Sequence, residues 1–246
     1  MKSIYIILIC FILLSACTKH KEEKITTTIK NESIVAKDTV IEEPVELNDD
    51  CSSDPIETLI TEYNGISFYT ENTLRGTGVV QLSLNKNVDI LNEDKSVFGS
   101  ILLSNNELEP YEIKITKKVI AREVIPDIEH RIFSFDAEQP ENDKDFLIIY
   151  INGERKLMEK KNNKYKYSSW EEYIKAGFIH LTPKIDNCTK DEQMYYYKVL
   201  KIKNDSMQIK SVSKTSCDYV EEYKDVTKWI KWKNDSCKLV MFDFCY

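Results

Sequence analysis

From Val79 onward, apolar side chains recur at about every second position, in short blocks separated by Asn- and Asp-rich breaks. That period is the signature of strands with one buried face. Val79 to Leu84, Val97 to Leu103 and Tyr111 to Ile115 are three such blocks. The stretch "FLIIYI", Phe146 to Ile151, is apolar on both faces and predicts a central strand. Asn152-Gly153 after it predicts a tight hairpin, because both residues tolerate positive φ, with Arg155 to Lys160 as the return strand. Two segments predict helices. Asp54-Pro55 supplies a cap and a first-turn proline ahead of "IETLITEY", and Ser168 with Glu171 forms a capping box ahead of "WEEYIKAG", stopped by Gly177. The expected body is mainly β, an antiparallel sheet with two short helices.

The C-terminal part contains an echo: Lys203-Asn204-Asp205-Ser206 recurs as Lys233-Asn234-Asp235-Ser236, each joining two apolar-rich strands through a polar turn. We read the repeat as shared hairpin chemistry. In the last strand Val240, Phe242, Phe244 and Tyr246 share one face and Leu239 and Met241 the other, which predicts burial on both sides for part of its length.

The first residues follow a different pattern. One cation, Lys2, precedes an apolar run from Ile4 to Leu14, about half of the roughly 20 residues a spanning helix needs. This is the layout of a secretory signal, ending in small residues. Leu14-Ser15-Ala16-Cys17 resembles the lipobox of bacterial lipoproteins. The resemblance implies a signal peptide over residues 1–16, a diacylglyceryl group on the thiol of Cys17, and Cys17 as the new N-terminus. Each buried methylene adds roughly 0.8 kcal/mol, so two acyl chains hold the protein in its membrane. Thr18 is not the Asp that retains many such proteins in the inner membrane, so the resemblance implies the outer membrane. Lys21-Glu22-Glu23 resembles the basic-then-acidic tract that sends some lipoproteins to the cell surface, and whether the protein faces periplasm or surface stays open.

Thr18 to Asp50 has no aromatic residue and no Gly, and carries nine acidic against five basic side chains. Such a segment buries too little apolar surface to offset its ordering entropy. We read residues 17–50 as a lipidated N-terminus and tether, although Ile34, Val35, Val40, Ile41 and Val45 alternate as in a strand. The rest divides, on expectation, into a mainly β domain over 51–187 and a C-terminal β unit over 188–246. A net charge of -7 with no clustered basic face argues against nucleic acid as a partner.

Of seven cysteines, five remain for the exported body: Cys51, Cys188, Cys217, Cys237 and Cys245. Export favours disulfides, and an odd count leaves one thiol over. Cys237 and Cys245 end the same strand, and eight residues at about 3.3 Å each exceed the roughly 7 Å limit for bridging Cα atoms. They should pair elsewhere, and the expected bridge is Cys217 with Cys237 or Cys188. No close Cys-x-x-Cys pair points to zinc, and neither a metal nor any other cofactor is expected.

Parts of the folded region resemble bacterial Src-homology-three-like (SH3-like) domains. "NVDILNEDKSVFGSILL", Asn87 to Leu103, is similar to their first two strands, and "YIKAGFIHLTPK", Tyr173 to Lys184, to a closing strand with Phe178 in place of Trp. "YYYKVLKIKNDSMQIKS" followed by "DVTKWIKWKNDSCKLV" resembles a second unit closing at Trp229-Ile230-Lys231-Trp232. The resemblance implies one or two small β-barrels, and the stretch Tyr111 to Ser169 departs from it. It also implies a groove of aromatic residues that binds Pro-rich or cell-wall peptide, for which Trp170, Trp229, Trp232 and Tyr196 are the candidates. In a strand Trp229 and Trp232 point to opposite faces, so at most one lines a groove unless a bulge intervenes.

No motif identifies a reaction. His20 lies in the tether, while His130 and His180 read as strand residues with no nucleophile fixed beside them. With 41 acidic residues, a close carboxylate pair selects nothing. Asp243 interrupts an apolar strand and would need a partner if buried. Arg75-Gly76-Thr77-Gly78 lacks the Gly-Lys-Ser/Thr ending of a phosphate loop. The expectation is a lipid-anchored envelope protein that binds another envelope protein or peptidoglycan peptide without catalysis. The alternatives are an inhibitor or immunity lipoprotein with an acidic loop within Asp136 to Asp145, and a hydrolase.

Overall fold

A computed structural model describes residues 56–161, 163–220 and 223–245, and all of them belong to one compact unit. The signal, Cys17, the tether, His20, Cys51 and Tyr246 lie outside the described residues. The first body is built from β1 (Glu57–Tyr63), β2 (Ile66–Glu71), β3 (Gly78–Ser83), β4 (Val88–Leu91), β5 (Val97–Leu103), β6 (Tyr111–Lys114), β7 (Lys118–Ile120), β8 (Glu123–Ile125), β9 (Ile132–Ala137), β10 (Phe146–Ile151), β11 (Glu154–Glu159) and β12 (Lys164–Ser169). The second contains α1 (Trp170–Ala176), β13 (Phe178–Leu181), α2 (Lys190–Gln193), β14 (Tyr196–Lys203), β15 (Ser206–Val212), β16 (Thr227–Lys231), β17 (Lys233–Asn234), β18 (Cys237–Lys238) and β19 (Val240–Asp243).

The protein is mainly β, as its alternation predicts. The helix expected over "IETLITEY" is instead β1. Thr58, Ile60 and Thr61 are β-branched, and Asn64-Gly65, both at positive φ, turn the chain directly into β2. A strong turn thus outweighed a cap and a proline. The second helix forms one residue later than expected: Ser169, not Ser168, is its cap, and Glu172, not Glu171, closes the box, ahead of Gly177. Asn152-Gly153, also both at positive φ, joins β10 to β11 as expected.

Nine strands form one sheet in the order β12-β3-β9-β10-β11-β4-β5-β6, with β8 also paired to β9. The three-stranded sheet β1-β2-β7 contributes Ile66, Phe68 and Val119 to the same core as Phe133, Phe135, Leu147, Ile149 and Met158. β10 lies between β9 and β11, which accounts for its two apolar faces. The second core belongs to the five-stranded sheet β16-β15-β14-β13-β19 and contains Tyr197, Met207, Ile209, Ile230 and Trp232. The boundary expected between Asn187 and Cys188 falls inside this sheet, because β13 precedes it.

No sheet closes into a barrel among the described residues, which corrects the SH3-like barrel expectation. The reason lies in the stretch Tyr111 to Ser169. Its strands β9, β10 and β11 enter between β3 and β4, widening the sheet and leaving β12 and β6 as separate edges. The last strand also departs from expectation: Val240 is buried, but Met241 on the opposite face is 55% exposed.

Candidate functional site

All six residues of β9 are buried. Phe133, Phe135 and Ala137 face the first core, so alternation turns Ser134 and Asp136 to the other side of the sheet. There α1 packs on β3 and β12, and Arg122 meets Asp136. The guanidinium donates from Nε to Asp136 Oδ1 at 2.7 Å and from Nη2 to Oδ2 at 2.9 Å, a bidentate pair. It also donates to the carbonyls of Glu71 and Thr73, and its Cζ lies 5.2 Å from the centre of the Trp170 ring. Burial works against the charge of Arg122, but Asp136 more than offsets it and holds the guanidinium above its ordinary pKa. Lys238 enters the same region: burial, then the like charge of Arg122, pushes its ammonium down to about 8. Burial also raises the Tyr173 phenol far above its usual range, and its hydroxyl finds no hydrogen-bond partner among the described residues.

Two backbone links join the C-terminal ribbon β17-β18 to this junction. Leu74 N–H donates to Ser236 O at 2.6 Å and Lys238 N–H to Asn72 O at 2.9 Å. In front of the junction lies a cleft of about 430 Å³, lined by Leu74, Gly76, Trp170, Glu171, Trp232 and Lys233 among others. Both indole N–H groups are already used: Trp170 Nε1 donates to Gly76 O at 3.4 Å and Trp232 Nε1 to Asn204 O at 3.2 Å. The rings are therefore held in fixed orientations. Lys233 lies 5.6 Å from the Trp232 ring centre and pairs with Asp205 at 3.1 Å, and with Glu171 and Asp235 also in the lining the rim carries both signs of charge. Gly76, at φ +63°, is required here, since a Cβ would sit 2.3 Å from Ala137 O.

The aromatic candidates therefore separate into two places. Trp170 and Trp232 share the cleft, whereas Trp229 and Tyr196 lie on the outer face of the five-stranded sheet. Trp229 is 50% exposed and Trp232 is buried, in keeping with their opposite directions in sequence. Tyr196 stacks edge-on against His180, whose Nε2 lies 2.9 Å from Asp243 Oδ2, and donates its hydroxyl to Asp218. Asp243 is about a third exposed rather than buried, with His180 beside it. His130 lies in the turn before β9, not in a strand, beside Asp127.

The disulfide is Cys217–Cys245, not Cys217 with Cys237 or Cys188; Cys188 is free, and Cys237 is bonded separately. Cys245 is the residue that the return of β19 brings to a Cα–Cα distance of 5.6 Å. Cys237 is instead drawn to Thr73 by the ribbon. Asp136 is buried rather than part of an acidic loop, and the turn that follows β9 is tied back by Lys160 to the carbonyls of Pro140 and Asp143. Among the described residues no cluster of side chains suits a metal ion.

The absence of a basic face also needs correcting. Strand register places Lys201, Gln208 and Trp229 in one row and Lys203, Ser206 and Lys231 in the next, with Lys198 and Lys210 beside them. The junction around Arg122 was missed entirely in sequence, where its only visible sign is a charged residue between apolar strands. Comparison with protein-family models, curated proteins and solved structures finds no match for this chain.

Proposed function

We propose that this chain is a lipid-anchored cell-envelope protein, diacylated on Cys17 and held in the outer membrane, whose β body binds another envelope component without catalysing a reaction. The observation that carries the binding role is the cleft between Trp170 and Trp232. Two indoles from distant parts of the chain line it, their polar atoms are satisfied internally, and charges of both signs border the opening. Half-buried Trp170 offers flat apolar contact there, with buried Trp232 as the floor and a few polar groups for orientation. A peptide or peptidoglycan fragment with an apolar or sugar face and a charged end fits this description.

The anchor and the cleft are tested separately. The mass of the N-terminal peptide reports diacylation of Cys17, and an unmodified thiol refutes the anchor. For the cleft, peptidoglycan fragments and envelope extracts are passed over the purified protein and over its Trp170→Ala and Glu171→Ala variants. Glu171 is exposed and pairs only with Lys175 among the described residues, so its loss leaves the fold intact. Retention of one component, weakened about tenfold or more in either folded variant, supports the cleft. Equal retention by all three proteins refutes it.

A further inference from the structure

We infer that the outer face of the five-stranded sheet docks on an anionic lipid surface. The inference is independent of the cleft, and uses the Cys17 anchor only to bring a weak contact to its membrane. Residues Met207 and Ile230 turn into the second core, and their neighbours Gln208, Trp229 and Lys231 therefore turn outward. A bulge at Val199/Lys201 breaks the alternation of β14, so Leu200 and Lys201 both reach the surface. Lys201, Lys203 and Lys231 are exposed and form no ion pair among the described residues, while exposed Lys210 meets Asp225 only at 3.6 Å.

Strands about 4.8 Å apart and residues spaced about 3.3 Å along them place the backbones of Lys201, Lys203 and Lys231 within about 12 Å of each other, close to one Debye length. They act on a charged surface together. In a chain of net charge -7 this is a local reversal of sign, so an anionic membrane would repel much of the molecule and attract this face. Trp229 and Leu200, 50% and 43% exposed, stand among the lysines on the same face. An indole and an aliphatic side chain ringed by lysines suit the boundary between headgroups and hydrocarbon, where the rings enter and the ammonium groups stay wet. A soluble polyanion would use the lysines and leave Leu200 in water. The chain between Cys17 and Ile56 spans at most roughly 130 Å when fully extended, enough for the body to lay this face on the membrane that holds the anchor.

The test uses the mature chain from residue 17 with Cys17→Ser, so that no lipid contributes, and measures co-sedimentation with phosphatidylcholine vesicles with and without phosphatidylglycerol. The expected result is binding to the anionic vesicles alone, weakened by salt. Binding should fall roughly a hundredfold in a Lys201→Glu/Lys203→Glu/Lys231→Glu variant, at about 1 kcal/mol per lysine. Trp229→Ala, which leaves those charges in place, should lower it by about tenfold. Equal binding to neutral vesicles, no binding to either, unchanged binding in both variants, or tighter binding to soluble polyphosphate than to vesicles would each overturn the inference. Because the anchor is absent throughout, none of these outcomes depends on whether Cys17 is lipidated.

Discussion

Positive charge stands in two contrasting settings in this molecule, and the two obey opposite rules. At the junction, Arg122 and Asp136 are about 5% and 4% exposed, and the guanidinium spends its donors on one carboxylate and two carbonyls. On the outer sheet face, Lys201, Lys203 and Lys231 stand in water with no ion-pair partner among the described residues. Buried charge holds elements together because removing one partner strands the other in a poor solvent. Exposed charge contributes little to folding, and is therefore open to use by a partner.

The sharpest way to break this contrast is Arg122→Ala. It should lower stability by about 3–5 kcal/mol in urea unfolding, since it leaves the buried Asp136 without its ion-pair partner and with only the Arg75 N–H as a donor among the described residues. A loss below about 1 kcal/mol would show that the pair does not hold the junction.

Lys238→Met probes the same junction with the opposite sign. Folding lowers the Lys238 ammonium from 10.5 to about 8, so between those values the unfolded chain binds more protons and stability rises with pH. Below about 8 the penalty is present in full. Lys238→Met should therefore add at most about 3 kcal/mol at neutral pH. The variant should also flatten the rise between about 8 and 10.5. A variant as pH-dependent as the parent would place that titration elsewhere.

On the sheet face, the Lys201→Glu/Lys203→Glu/Lys231→Glu variant should unfold within about 0.5 kcal/mol of the parent. A larger loss would mean that these lysines serve the fold after all.

Local chemistry was the legible part of this sequence. Asn152-Gly153 and the alternation of β3, β5 and β6 carry their own conformational preference, and the structure follows it. The same rule explains the error at β1, where Asn64-Gly65 was a stronger local signal than Asp54-Pro55 and went unread. The site was legible only as a set of aromatic residues. Nothing in the sequence tells that Trp170 and Trp232 line one cleft while Trp229 does not, because that follows from how distant elements pack. Arg122 is silent for the same reason: its contacts at residues 71, 73, 136 and 170 are brought together by the fold. The lysine face was hidden by register, since β14, β15 and β16 each contribute part of it and the bulge at Val199/Lys201 breaks the one run that would have shown it.

The way the cleft is assembled has a consequence in time. Its walls come from residues 74–76, 170–171, 202–204 and 232–236, and the last of these is pinned to the first by the bond from Leu74 to Ser236. Contacts so far apart along the chain form late in folding, after the loops between them have closed. The first core can therefore be complete before the cleft exists. The cleft lacks one of its walls until the final ribbon has docked.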